Sequence, residues 1–168
     1  FLLLDVIPFL GSLVALSVLL HTGIYAIDWI GFILMWLLSV IGIELGYHRY
    51  FSHKAFQATT ALKSLLVILA SMGGQGSVLA WSTNHVHHHR YSDQPQDTHT
   101  PMHSGNNGFG KFKGFWHSQV LWKWSYIPPF PTKKVEWLYQ DKQINQLSKW
   151  YYLWVVLGII LPAIQSGL

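Results

Sequence analysis

Three long apolar stretches constrain the fold of this chain more than any other feature. They occupy residues 6–27, 29–47 and 150–168. About 20 predominantly apolar residues suffice for an α-helix to cross the hydrocarbon core of a bilayer. Because lipid offers the backbone no hydrogen-bond partner, such segments satisfy their own polar groups as helices. We therefore predict an all-α integral membrane helical bundle with three spans, in which a tight turn at Asp28 joins the first two.

The charged residues are few and unevenly placed. They make up 11% of the chain, against about 25% in a typical soluble protein. All eleven Lys and Arg residues lie between Arg49 and Lys149, and basic residues collect on the cytoplasmic side of membrane proteins. We predict a multi-pass protein with a cytoplasmic cap at 82–149, in a bacterial inner membrane or, less favoured, the endoplasmic reticulum.

Two further inferences follow from the same pattern. The net charge of +4 comes without a basic helix or an RNA-binding signature, so we expect no nucleic-acid partner. The apolar part of residues 61–81 ends early at "GGQG" and is too short to span a membrane. We therefore predict an interfacial helix at 61–81, which leaves the polar segments on both sides of it at one membrane surface.

The histidines form two spaced groups, the HxxxxH pair of His48 and His53 and the HxxHH trio of His85, His88 and His89. At about 100° per residue the trio shares one helical face, and His87 points away at about 200° from His85. A five-residue spacing does not fit one face of a regular α-helix. We therefore expect the second span to unwind between His48 and His53.

These residue types predict a metal site. Neutral imidazole binds iron, copper or zinc, and the chain has no cysteine that could add a thiolate ligand. The predicted topology brings both histidine groups to the same membrane surface. Five converging imidazoles exceed the need of one tetrahedral zinc ion. We therefore expect either more than one metal ion or a site completed by further ligands.

The segments "LGYHRYFSHKAF", "QGSVLAWSTNHVHHHRYSDQPQDTHTP" and "GFWHSQVLW" resemble the membrane fatty acid desaturases, a di-iron family that includes the acyl-CoA desaturases. The resemblance covers nearly the whole chain. It implies that the five histidines bind two iron ions and that O2 is the co-substrate. It also implies a cis double bond introduced into a fatty acyl chain (acyl-CoA or acyl-lipid), membrane lipid around the enzyme, and a cytochrome or ferredoxin-type electron donor.

The resemblance also implies ligands that this sequence does not contain. The family has a third HxxHH box and a further histidine or asparagine after a fourth span. We therefore expect residues 1–168 to be one desaturase-like domain truncated at both ends. Metal binding and ligand assembly are coupled, so we expect this chain alone to bind iron weakly and not to convert acyl substrate.

Several residues are candidates for supporting roles. Glu44 precedes His48 by one helical turn and could orient its ring; the alternative is a side chain that reaches the interface. By resemblance, Gln75 and Trp81 line the substrate path, although ordinary packing is equally consistent. Also by resemblance, the residues that follow the second box support the outer imidazoles: Asp93, Asp97 and His99. The remaining histidines are expected to be local or inert: His21, His87, His103 and His117.

The sequence also departs from its relatives. Acyl-CoA desaturases often have an Arg-Asp pair where this chain has Thr83 and Asn84, which leaves the acyl carrier open. Gln119 stands where the family usually has histidine. Two alternatives to a desaturase remain at this point. One is a membrane di-iron hydroxylase acting on lipids or alkanes, and the other is a non-catalytic truncated relative.

The topology can be tested with single cysteines, because the chain contains none. A cysteine at Gly108 should be protected from a membrane-impermeant reagent added outside the cell, and one near Asp28 should be modified. The reason is that every basic residue falls within the predicted cytoplasmic segment. Labelling at Gly108 together with protection near Asp28 would contradict the predicted topology.

Overall fold

The computed structural model describes residues 6–124 and 129–165, and every regular element in these ranges is helical. The prediction of an all-α fold is therefore confirmed. The elements in chain order are α1 (Ile7–Thr22), α2 (Ala26–Val40) with its π-helical continuation (Ile41–Ser52), α3 (Thr60–Met72), α4 (Val78–Tyr91), a 3-10 turn (Pro101–Ser104), α5 (Gly108–Gln119), a second 3-10 turn (Leu121–Trp124), α6 (Glu136–Gln140), α7 (Lys142–Lys149) and α8 (Tyr151–Gln165).

One helix is long and apolar enough to cross a membrane by itself. It combines α2 with its π-helical continuation over Ala26–Ser52, and only 11% of its most apolar window is buried inside the chain. The pair α7 and α8 passes the same test only together, and the two helices meet at a 58° bend. Length and composition thus support one span, or two if the bent pair counts as one. The three spans and the cytoplasmic side of the cap stay predictions.

The turn between the first two helices is shifted along the chain from the position that the sequence predicted. Residues 6–27 do not form one helix, because α1 ends at Gly23, whose φ of 81° favours glycine. Asp28 lies in the first turn of α2, where its carboxylate accepts a hydrogen bond from the Tyr25 N–H at 2.9 Å. The expected turn at Asp28 is thus three to five residues earlier in the chain.

The segment 61–81 is likewise divided between two helices. Helix α3 ends at Met72, and α4 begins after Ser77, whose hydroxyl accepts from the Ala80 N–H. The intervening "GGQG" turn contains two glycines with positive φ, Gly74 at 71° and Gly76 at 103°. A helix cannot continue through two left-handed residues. The expected single interfacial helix is therefore a helix followed by a sharp turn.

The second span does not unwind at the histidine pair. It continues as a π-helix, in which the His53 N–H donates to the His48 carbonyl five residues earlier, at 3.2 Å. The Ser52 hydroxyl donates to the carbonyl of Tyr47, also five residues earlier, at 2.7 Å. Hydrogen bonds of this i→i+5 type align residues five apart. The HxxxxH spacing therefore matches one face of this particular helix.

The core lies where the π-helix crosses α3 and α4. Tyr47 and Phe51 are fully buried there and pack with apolar residues of α3, α4, α6 and α7. The Tyr47 hydroxyl is 2.8 Å from the Ser71 hydroxyl and donates to the Gly76 carbonyl at 3.1 Å. The Gly76 N–H in turn donates to the Tyr151 hydroxyl at 2.9 Å. These bonds connect the π-helix, the turn before α4 and the start of α8.

Glycine at position 42 makes the crossing of the π-helix and α3 possible. A Cβ atom there would lie 2.3 Å from the Ala70 backbone nitrogen and 2.6 Å from the Leu69 carbonyl carbon. Backbone atoms cannot rotate away as a flexible side chain can. Gly42→Ala should therefore lower the free energy of unfolding by about 1–3 kcal/mol through overpacking.

Gly11→Ala is the matched control, because nothing lies within 4 Å of a Cβ atom at that helical position. Alanine is also the better helix former. Thermal unfolding of both variants in detergent, followed by circular dichroism, measures the difference. Equal loss of stability in the two variants would contradict the close crossing.

Candidate metal centre

Four of the five predicted ligands form one cluster between two helices. His48 and His53 lie at the end of the π-helix, and His85 and His89 lie one turn apart on α4. One ring nitrogen from each residue lies within 4.8 Å of the others. The Nε2 atoms of His53 and His85 are 3.0 Å apart. Imidazole nitrogens that converge in this way are a donor set that could hold a metal ion.

The fifth predicted ligand belongs to an adjacent group. His88 Nδ1 donates to Asp97 Oδ2 at 2.9 Å, and the His88 ring stacks on His99 with 4.2 Å between the centroids. One nitrogen or oxygen atom from each of these three residues lies within 4.8 Å of the other two. The rings of His88 and His89 are 5.9 Å apart. The HxxHH trio thus contributes to two neighbouring groups.

The division of the trio follows from helical geometry. His85 and His89 are four residues apart and project side by side towards the π-helix. His88 is displaced by about 100° from His89 and reaches the loop that carries Asp97. The expected shared face therefore serves two neighbouring groups, one facing the π-helix and one facing the loop. Two adjacent donor groups are an arrangement that can hold two metal ions.

Carboxylates hold one ring nitrogen in each group. Glu44 Oε2 accepts from His48 Nδ1 at 3.1 Å, and Asp97 Oδ2 accepts from His88 Nδ1. Each pair leaves Nε2 of the imidazole free for a metal ion. Glu44 is 61% exposed and Asp97 is fully buried. Because water competes with the exposed pair, we expect Asp97 to orient its histidine more strongly than Glu44 does.

Asp97 is held by several donors at once. Its carboxylate also accepts from the backbone N–H of Asp93 at 3.1 Å and of His99 at 3.4 Å. Burial alone would raise the pKa of Asp97, but the hydrogen bonds from His88 and the Asp93 backbone outweigh burial and lower it. The carboxylate is therefore charged at neutral pH and accepts three hydrogen bonds. One of these bonds connects it to His88.

Three imidazoles of the first cluster have pKa values that favour the neutral form. Burial is the main cause that lowers the pKa of His53, His85 and His89, followed by the charges of neighbouring groups. For His85 the pKa falls to about 3. A metal ligand must offer an unprotonated nitrogen. His53, His85 and His89 therefore present unprotonated nitrogens at neutral pH, before any metal ion is bound.

A cavity of about 650 Å³ opens beside both groups. Gln75 and Trp81, the two residues predicted to line a substrate path, are in its wall together with His85 and His88. The Trp81 Nε1–H donates to Gln75 Oε1 at 3.1 Å, and the Trp81 ring stacks on His85 at 4.7 Å. The tryptophan thus connects the cavity wall directly to a candidate ligand.

The other predicted residues lie around the loop that follows α4. We expected Asp93 to bond an imidazole, but its carboxylate accepts from the Thr100 hydroxyl at 2.6 Å, and its backbone N–H supports Asp97. His87 and His117 donate to loop carbonyls at 3.0 and 3.1 Å, the local role that was expected. His21 contacts only the Ser17 carbonyl within the described residues, and the side chain of His103 lies outside them.

Several cavity residues were not predicted, among them Gln119, Trp122 and Lys123. These three come from the end of α5 and the 3-10 turn after it, far along the chain from both histidine groups. The segment "GFWHSQVLW" carried a signal, because it belongs to the quoted resemblance. Nothing in its residue spacing indicated contact with the cavity.

Asp97 offers a test of the inferred orientation of His88. Asp97→Asn should weaken metal binding by about 10- to 100-fold, the usual effect of losing such a partner. Glu44→Gln should have a smaller effect because Glu44 is largely exposed. Metal content after dialysis against a competing chelator measures both, with the exposed Glu136→Gln as the control. A larger loss for Glu44→Gln than for Asp97→Asn would contradict this order.

The sequence is similar to a known protein family over most of its length. Residues 25–166 match the family model described as Fatty acid desaturase. The Hex-5-enoyl-[acyl-carrier protein] acetylenase of Moorena producens is 39% identical over 171 residues, which cover 100% of this chain and 53% of that protein. The sn-1 stearoyl-lipid 9-desaturase of Synechocystis is 33% identical over 79% of this chain and 40% of its own length.

A vertebrate relative extends the same comparison. The stearoyl-CoA desaturase of Capra hircus is 32% identical over 67% of this chain and 28% of its own length. The chain thus spans about half, or less, of the length of these relatives. Its match to the family model, however, includes both histidine groups and nearly all the described helices. The chain belongs to the fatty acid desaturase family.

Proposed function

We propose that this chain is part of a membrane di-iron fatty acyl desaturase that uses O2 to introduce a cis double bond. The observation that carries the proposal is the convergence of His48, His53, His85 and His89, with the Nε2 atoms of two of them 3.0 Å apart. The adjacent group around His88 supports a second iron. One structural metal ion would need four ligands at one site, whereas these residues form a group of four and an adjacent group of three.

The donor set fits iron. Neutral imidazoles suit iron, copper and zinc alike, but zinc has no redox chemistry. When bound, iron supplies the O2-dependent oxidation that removes hydrogen from an unactivated methylene group. The five histidines would hold the ions, and the hydrogen bonds from His48 to Glu44 and from His88 to Asp97 would keep the two rings oriented towards them.

The cavity supplies the second half of the proposed mechanism. Its wall contains His85 and His88, so an acyl chain within it would lie beside both groups. Trp81 is fixed by its bond to Gln75 and by stacking on His85. These side chains would align the acyl chain and exclude water from the reacting carbon atoms. Positioning of this kind determines which methylene is oxidised.

A residue next to the HxxHH group bears on the identity of the acyl carrier. Thr83 is buried, and its hydroxyl is 2.9 Å from that of Tyr139, so it replaces a charged residue with a packing contact. We infer an acyl-lipid or acyl-carrier-protein substrate in preference to acyl-CoA. The names of two similar proteins refer to such substrates. A cytochrome or ferredoxin-type donor would supply electrons at the cytoplasmic side of the membrane.

The same experiment can detect a second reaction. The relative that matches the chain over its whole length is named an acetylenase acting on a hexenoyl chain. Removing two hydrogens from an existing double bond gives a triple bond by the same oxidation. The chemical structure of the product therefore distinguishes three reactions. A desaturase forms a double bond, an acetylenase forms a triple bond, and a hydroxylase adds a hydroxyl group.

Expression of the full-length protein in cells with labelled fatty acid tests the proposal. We expect a new double or triple bond by gas chromatography with mass spectrometry, and loss of product in His85→Ala, His88→Ala and His89→Ala. His87→Ala should retain activity, because His87 contacts the Gln96 carbonyl outside both groups. A hydroxylated product would contradict the reaction, and activity in His88→Ala with none in His87→Ala would contradict the site.

A further inference from the structure

Helix α5 has one face built for close contact with the protein. A Cβ atom at Gly110 would lie 2.4 Å from the Ser104 carbonyl oxygen, and one at Gly114 would lie 2.1 Å from the Pro101 carbonyl oxygen. The two glycines are one turn apart and bring α5 directly onto the preceding 3-10 turn. The Asn107 side chain caps the helix by accepting from the Gly110 N–H at 2.7 Å. The orientation of α5 about its own axis is therefore determined by this glycine face.

The opposite face consists of aromatic side chains. Phe112 lies about 180° from the midpoint of the two glycines, at 100° per residue. The four exposed rings of this aromatic stripe are Phe109 at 76% exposure, Phe112 at 59%, Phe115 at 54% and Trp116 at 45%. Trp116 contacts Phe112 and Phe115 edge to face, with centroids 6.3 and 5.8 Å apart. The stripe is continuous, and such a surface is unfavourable in water.

Two lysines border the aromatic stripe. Lys111 and Lys113 are exposed and lie about 100° to either side of Phe112. The helix contains no acidic residue. A lysine can place its methylene groups along an apolar surface while its ammonium group reaches the lipid headgroups. This order of lysine, aromatic stripe and lysine across one face is typical of a helix that lies in a membrane interface.

We propose that α5 lies in the plane of the bilayer surface, with the aromatic stripe at the boundary between headgroups and acyl chains and both lysines at anionic headgroups. The helix Ala26–Ser52 is a candidate membrane span. A bilayer around this helix would have its surface near the rest of the chain. An acidic protein partner would be recognised mainly through charge. Here the charges lie only at the edges and the centre is wholly aromatic, which favours lipid.

The placement has a consequence for the cavity beside the metal centre. Helix α5 ends at Gln119 and leads into the turn with Trp122 and Lys123, and all three line that cavity. Anchoring α5 would keep this wall of the cavity at the lipid surface. An apolar substrate could then enter without crossing water. The lipid contact itself does not depend on which reaction the protein catalyses.

A nitroxide spin label reports the depth of a single cysteine, and the chain has none of its own. The protein is reconstituted in phosphatidylcholine vesicles containing phosphatidylglycerol, with labels at Phe112→Cys and, as control, at the exposed Gln140→Cys of α6. The label at 112 should collide more with O2 than with a water-soluble nickel chelate, at a depth of about 5–10 Å. The label at 140 should show the reverse. Phe109→Cys repeats the measurement if Phe112→Cys impairs folding.

Two results would overturn the proposal. One is equal access of the nickel chelate to positions 112 and 140. The other is a label at 112 that is reached by the chelate in vesicles and becomes shielded only when an acidic acyl carrier protein is added, which would indicate a protein-binding face. The double variant Lys111→Gln/Lys113→Gln tests the headgroup contact. It should remove the increase in depth that phosphatidylglycerol causes, and an unchanged lipid dependence would exclude a role for the lysines.

Discussion

The contact between two helix backbones at Gly42 determines the arrangement of everything that follows it. Because position 42 has no side chain, α3 can lie directly on the π-helix. Tyr47, one turn further on, then bonds to Ser71 at the end of α3 and to Gly76 in the next turn. The position of this turn then determines where α4 begins. The histidines of the π-helix and of α4 face each other because of this sequence of contacts.

Electrostatics at the centre favour the binding of a cation. The first cluster brings several imidazoles together in a partly buried space, where burial and mutual repulsion disfavour protonation and lower the pKa values of His53 and His85. Protons therefore compete weakly with a metal ion. Asp97 adds negative charge next to His88. The site is thus prepared for metal by its packing as well as by its ligands.

The fold places an apolar helix next to a cluster of imidazoles. The candidate span Ala26–Ser52 is apolar over most of its length, and its last turn carries His48, with His53 directly after it. The cavity is lined by the turn before α4 and by α4 itself, and its far wall comes from the end of α5 and the 3-10 turn after it. If α5 lies in the membrane interface as proposed, both the metal ligands and the cavity wall are positioned relative to the lipid surface. An acyl chain would then pass from lipid to metal over a short distance.

The sequence by itself determined the helical class, the family and the residue types at the metal centre. The length of an apolar segment decides whether it forms a helix in lipid. The HxxxxH and HxxHH spacings are local patterns that can be recognised without knowledge of packing. The carboxylate partner of His48 was also predictable, because Glu44 precedes it by one turn. The tertiary structure alone decided that His48 and His53 share a face, since the i→i+5 hydrogen bonds of a π-helix depend on packing against α3 and α4. It also decided that His88 turns to Asp97 while His85 and His89 turn to the π-helix, and that Trp122 reaches the cavity. These contacts join residues far apart in the chain, and no local pattern encodes the distance between them.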